Sequence, residues 1–442
     1  MPTSALDDVT DLLAQALRGS DAGAWIDLDE HLRATLRRGG PTAAAPARSP
    51  AAAEREPGVA ELAAALCGPD GRGREAALPW AGRSPELLPL VVVRCADWAE
   101  PVRVRARAEL VAALPELAPE ALERLTAVAL RTGGRRHGGA ARELLTARLR
   151  EGPEAGAAAL LGSGDRAVRR LAHRIAVERG LLSPARLAEV AATDHDVVVQ
   201  DLCANAALAA TGDAVGEAVL GPLLRSRFGR ARAAGVTALH RAGRADEAEP
   251  FLCDRSGLVR ACARWTLRQA GTDPVPLYRA ACAAGDAVPS DAPLGLAECG
   301  DRATDTETLW ALTEHPRPRV RASAVAGLRV LGAARLSRLA PLLRDDSPRV
   351  VRETAKALAP WADHFPPDAL LPSARLRVVY EATDEEPGKE PETETDPQPE
   401  PRPQPAGRAR LALRVLRLLR LPFGRRPPAE QPRGAAERAV RT

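Results

Sequence analysis

The sequence predicts an all-α chain, built as a solenoid of about ten helix-turn-helix units. Three observations carry this. Alanine, leucine and arginine dominate a 442-residue chain whose aromatic content is only 3%, and alanine and leucine are the strongest intrinsic helix formers. A phrase joining a turn acid, a valine or alanine, an arginine and an alanine-rich run recurs about every 31 residues. Glycines recur with the same period, which makes one unit the building block.

Residues 1–38 form a predicted helical pair, TSALDDVTDLLAQAL followed by the amphipathic WIDLDEHLRATL. Residues 39–57 are rich in proline and alanine and read as a flexible linker. The repeat array then occupies 58–380. Its phrase appears as DWAEPVRVRARAEL with Arg105, GDRAVRRLAHRIA with Arg169 and DHDVVVQDLCANAAL with Gln200 in the arginine slot. FGRARAAGVTAL supplies Arg232, DRSGLVRACARWTL Arg260, PRPRVRASAVAGL Arg321 and DDSPRVVRETAKAL Arg352. The gap between Arg260 and Arg321 spans two periods, and the missing slot falls near Pro289.

Gly180, Gly212, Gly243, Gly271, Gly300 and Gly332 follow at spacings of 28 to 32 residues, each read as the left-handed stop of a helix. First helices carry their own start signals: Ser183 as N-cap before Pro184, and Thr304 with Glu307 as a capping box. In the helix beginning near Pro348, Val351, Ala355, Leu358 and Ala362 share one small, apolar face that a neighbouring unit must cover.

The residues Asp346, Pro348, Val350, Arg352, Ala355 and Leu358, with their counterparts Pro318, Val320, Arg321, Ala324 and Leu328, resemble the HEAT-repeat family, in particular its short, alanine-rich phycobilisome-lyase type. The resemblance covers about three quarters of the chain. It implies a right-handed α-solenoid and leaves function open.

The recurring arginines 105, 169, 232, 260, 321 and 352 read as an inter-repeat ladder. Each would satisfy a turn acid (Asp97, Asp165, Asp194, Asp254, Glu314, Asp345) and carbonyls of an adjoining unit, a role suited to the planar guanidinium. Asp194-His195-Asp196 and the RRHGG stretch at 135–139 lie in the same turns and read as turn chemistry. No phosphate-binding glycine loop, zinc-helix motif or nucleophile elbow occurs. The expectation is therefore a chain without catalytic residues, metal ligands or a cofactor.

The seven cysteines (67, 95, 203, 253, 262, 282 and 299) form no CxxC pair and read as small buried hydrophobes in a reducing compartment. With no signal-peptide pattern and no apolar run of spanning length, the expected location is cytoplasmic. An arginine bias of 60 in 62 basic residues fits GC-rich bacterial coding.

Beyond the array, 381–407 is an acidic, proline-rich segment with too few apolar residues to fold. Residues 408–424 read as a basic amphipathic helix, with Arg410, Arg414, Arg417 and Arg420 on one side and Leu411, Val415, Leu418 and Leu419 on the other. A disordered tail, 425–442, follows. The function expected is a non-enzymatic protein-interaction scaffold, with a partner on the concave face and the terminal helix as a second attachment to partner or anionic membrane. A peripheral membrane adaptor and a nucleic-acid-binding or DNA-repair protein of the HEAT type are the alternatives. Near charge balance over 1–380 disfavours duplex binding.

Overall fold

The computed structural model describes residues 3–18, 21–38, 57–212 and 214–364. These residues form α-helices and short 3-10 turns, with no strand among them. After an N-terminal pair, Thr3–Arg18 and Gly23–Arg38, the helices alternate. First helices are Val59–Cys67, Leu88–Arg94, Pro119–Thr132, Glu154–Ala159, Pro184–Thr193, Glu217–Arg225, the 3-10 segment Ala245–Cys253, Pro274–Cys282, Arg302–Leu312 and Leu336–Leu339. Second helices are Gly71–Ala81, Glu100–Ala113, Gly139–Glu151, Arg166–Glu178, Val197–Thr211, Gly229–Arg241, Gly257–Gln269, Ala292–Cys299, Pro318–Val330 and Pro348–Leu358.

The chain divides into two compact units, Met1–Ala231 and Arg232–Thr442. In the first, helices pack on their sequence neighbours, as the first helix Pro184–Thr193 does with its partner Val197–Thr211 and with the next first helix Glu217–Arg225. The N-terminal pair belongs to this unit. Trp25 and Leu32 of its second helix are buried, and that helix packs on Val59–Cys67, Leu88–Arg94 and Pro119–Thr132. A buried charge cluster reinforces the seam. Arg94 pairs with Asp29 and Asp97, while Arg33 pairs with Asp29 at 2.8 Å and reaches Asp97 at 3.5 Å.

In the second unit, Pro318–Val330 packs on Ala292–Cys299, Arg302–Leu312 and Pro348–Leu358. Small residues allow the close approach: Ala322, Ala324, Ala326 and Gly327 are all buried.

The helix stops follow the glycine period with one exception. Gly180, Gly212, Gly243, Gly271 and Gly332 all have φ between 56° and 83°, a region that costs other residues a Cβ clash. Gly300 does not; its φ is −76°. It is small for a different reason, since an added Cβ would lie 2.4 Å from Asp305 Oδ2 and 2.7 Å from Leu296 O. Ser183 caps its helix through Arg186 N–H at 3.3 Å. The expected Thr304–Glu307 box is displaced: Asp301 is the N-cap, accepting from the Ala303 and Thr304 amides at 2.9 and 3.0 Å. An aspartate three residues earlier outcompetes the threonine because its carboxylate accepts both amides.

Candidate interaction surface

The repeated turn has one construction. A turn residue accepts, on its side chain, the amide two residues ahead. At Asp97, Ser163, Asp194, Asp254 and His315 its backbone carbonyl also accepts from the side chain six residues ahead, on the second helix. Asp97, Asp194, Asp254 and Asp345 hold the amides of Ala99, Asp196, Ser256 and Ser347 at 2.6–2.9 Å. Ser163, Ser226 and His315 do the same for Asp165, Phe228 and Arg317. The expected acids Asp165 and Glu314 are not the turn residues. Asp165 is the N-cap two residues on, bonded to Ala167 and Val168 amides and to Arg131, and Glu314 is exposed.

The arginine six residues on uses two sides of its guanidinium. Arg321 Nη1 donates to His315 O and Pro316 O at 3.0 Å, and its other edge forks Asp345 at 2.8 and 2.9 Å. Arg74 donates to Gly68 O and Pro69 O and forks Asp97, both bonds at 3.0 Å. Arg169 bonds Ser163 O at 2.8 Å and pairs with Asp194 at 3.3 Å. Arg232 forks Asp254 at 2.7 and 2.8 Å. The carbonyls thus belong to the arginine's own unit and the carboxylate to the next. Gln200 keeps the carbonyl bond, to Asp194 O at 2.7 Å.

Three slots differ from the sequence reading. Arg105 is exposed and pairs with Glu109 on its own helix at 2.8 Å. Arg103 is the residue six beyond Asp97, bonding Asp97 O at 3.3 Å and Trp98 O at 3.0 Å. The two arginines sit two apart in the same VRVRAR run, so sequence alone does not fix the register. The slot near Pro289 is Gly295, set three residues into Ala292–Cys299. A Cβ there would meet the Tyr278 ring at 2.2 Å. Arg260, whose Nη1 bonds Asp254 O at 2.8 Å, turns instead to Glu298, which Arg264 also reaches at 2.5 Å. Tyr278 completes that buried network, donating to Leu252 O at 2.6 Å. Arg352 lies seven residues beyond Asp345, so the slot falls on Val351, and Arg352 is exposed on the last described second helix.

The Asp194-His195-Asp196 stretch is turn machinery. Burial alone would raise the Asp196 carboxyl, but bonds from Arg170, Arg166 and the Val198 amide bring it down to about 2. Among the described residues no three potential metal ligands cluster. The cysteines carry no disulfide and five are buried; burial pushes the Cys95 and Cys203 thiols up to about 12. No described helix is long and apolar enough to cross a membrane. Arg410, Leu411, Arg414, Val415, Arg417, Leu418, Leu419 and Arg420 lie outside the described residues, as do the acidic segment 381–407 and the tail 425–442.

One surface departs from the charged pattern. On Glu100–Ala113, Val102, Ala106 and Leu110 are buried, which leaves Pro101, Val104, Ala108 and Val111 on the opposite side of the helix. All four are exposed, Val104 at 57% and Val111 at 49%. Trp98 stands at the head of this stripe, 67% exposed, over the Arg74 guanidinium 5.1 Å from the ring centroid. Other tryptophans are held inside: Trp25 and Trp310 are buried.

No family model matches the chain, and no curated protein matches it. Among solved structures it is similar to Kap121p and to a mutant of that protein, at 13% identity, covering 79% of this chain and 49% of that one, with a TM-score of 0.29. It is also similar to an engineered protein at 18% identity, covering 80% of this chain and 98% of that one, with a TM-score of 0.20. The chain spans about half the length of Kap121p.

Proposed function

We propose that this chain is a non-enzymatic scaffold that binds a protein partner on the exposed faces of its second helices. The observation that carries this reading is the apolar stripe Pro101–Val104–Ala108–Val111 headed by Trp98. Exposed valines scattered singly need no explanation, but two on one helix face with Pro101 and Ala108, beside an exposed tryptophan, make an anchor. The ladder supports the same reading: its arginines and aspartates satisfy one another between units, so their recurrence serves packing. Residues 408–424, whose sequence pattern is that of a basic amphipathic helix, would add a second attachment to a partner or an anionic membrane and raise the effective concentration of the first contact.

A photo-crosslinking residue placed at Val104, in the full chain in its own cells, tests the reading. A protein adduct is expected at position 104, absent from a control at exposed Arg174, and lost on Val111→Asp. Equal adducts at both positions, or none at either, would refute it. So would tight duplex DNA binding that falls steeply with salt.

A further inference from the structure

One arginine of the ladder receives no carboxylate, and it adjoins the apolar stripe. Arg74, Arg169, Arg232 and Arg321 each receive a carboxylate from the following turn. Arg103 does not. The turn after it, GGRRHGG at 133–139, supplies Arg135, Arg136 and His137 where other units supply an aspartate. Among the described residues, no carboxylate pairs with Arg103 or with Arg107. Arg103 bonds only the carbonyls of Asp97 and Trp98. Arg107 reaches only Cys95 O and His137 O, at 3.4 and 3.5 Å. Arg135 turns away to Glu30 at 3.5 Å, while Arg136 is exposed.

The positive field is visible on a neighbour. Desolvation and then the charges of Arg103, Arg136 and Arg107 hold the His137 imidazole below its usual value, with Glu100 opposing them. One edge of the Trp98 stripe is therefore cationic, and the cations lack the counter-charge that every comparable arginine has.

We propose that the partner carries a carboxylate that docks on Arg103 and Arg136, in an amphipathic segment whose apolar side chains rest on Trp98, Val104 and Val111. Its acid takes the place that the following turn leaves unfilled. This rests on the scaffold reading and names the chemistry of the partner segment. Charge complementarity selects an acidic segment, and the stripe's length selects an amphipathic one: Pro101 to Val111 spans about 15 Å of helix.

Two synthetic peptides of fourteen residues test it on the full chain. Both carry leucine at i, i+3, i+4 and i+7; one has glutamate elsewhere and the other lysine. Binding is read from the part of the tryptophan fluorescence that Trp98→Phe removes. The glutamate peptide is expected to bind at least tenfold more tightly at low salt, with the preference falling as salt rises. Arg136→Glu, an exposed position outside the ladder, should abolish or reverse that preference. Val104→Asp should weaken the glutamate peptide about tenfold. Equal affinity for the two peptides, an unchanged preference in Arg136→Glu, or no binding by either would overturn the proposal. If that happens while the crosslink at Val104 still captures a protein, the acidic chemistry is wrong and the scaffold stands. Loss of the crosslink removes the scaffold itself.

Discussion

Arg74, Arg169 and Arg321 are each placed by a carbonyl six residues behind and an aspartate about 24 residues ahead. Arg74 and Asp97 show the strongest form, with both side chains buried and three further charged groups, Arg33, Arg94 and Asp29, around them. Removing one member of a buried pair leaves the other desolvated and unpaired. Arg74→Met should therefore destabilise the first unit by about 3 kcal/mol, at the low end for such breaks because Arg94 remains. Arg105→Ala, which loses only an exposed pair on one helix, should cost less than about 1 kcal/mol. Denaturant unfolding followed by circular dichroism measures both. Equal costs would mean that the register of the slot is Arg105 after all. Asp196 adds a pH dependence. Its folded carboxyl, at about 2, lies below the ordinary unfolded value. Its stabilisation is complete above that ordinary value and is lost as pH falls toward 2. Asp196→Asn should keep the helix cap yet flatten the decline of stability between about pH 4 and pH 2. An unchanged slope there would remove Asp196 from the acid response.

Helices obey the same logic through sterics. At Gly295 the repeat gives up its arginine slot so that the Tyr278 ring can fill the space and reach Leu252 O. Gly295→Ala would force a Cβ into a fully buried ring, and overpacking of this kind costs about 1–3 kcal/mol. The second unit should lose at least that much, read as a lower midpoint of unfolding. A neutral result would mean that Ala292–Cys299 slides freely against Pro274–Cys282. This is also where the sequence was least legible. Period, helix content and most glycine stops were readable because each depends on local chemistry: alanine and leucine for the helix, φ > 0 for the stop. Gly300 looked like one of the stops because spacing cannot tell a glycine required by φ from one required by a neighbouring atom. Ser163, Ser226 and His315 carry no acidic signature, because the turn needs only an acceptor two residues before an amide. The Trp98 stripe was half-legible. Trp98 lies in a polar turn, which favours exposure, but the bare valines on Glu100–Ala113 emerge only once Val102, Ala106 and Leu110 define the buried side.

Across the whole chain, stability is distributed over junctions between neighbouring units, and the junctions are matched in charge. Where the slot is arginine and the following turn is regular, that turn carries aspartate: Arg74 with Asp97, Arg169 with Asp194, Arg232 with Asp254, Arg321 with Asp345. Where the slot is neutral, so is the turn. Gln200 precedes Ser226, whose hydroxyl donates to Ala192 O at 2.8 Å, and Gly295 precedes His315, which reaches Gly285 O. Matching follows from desolvation. A carboxylate in a turn as buried as that of Ser226 costs several kcal/mol unless a guanidinium meets it. A guanidinium without its carboxylate is tolerable only where, as at Arg103, solvent or a partner is at hand. The junction between Gln200 and Ser226 can therefore be rewritten. Ser226→Asp alone should destabilise the first unit, and Gln200→Arg alone should give no gain. The double variant should recover much of the loss, with a coupling energy of about 1–3 kcal/mol, the range for residues in direct contact. A double-mutant cycle on unfolding free energies measures it. Simple additivity would show that the arginine–aspartate pairing is a by-product of composition, and would leave the missing carboxylate at Arg103 without meaning for a partner.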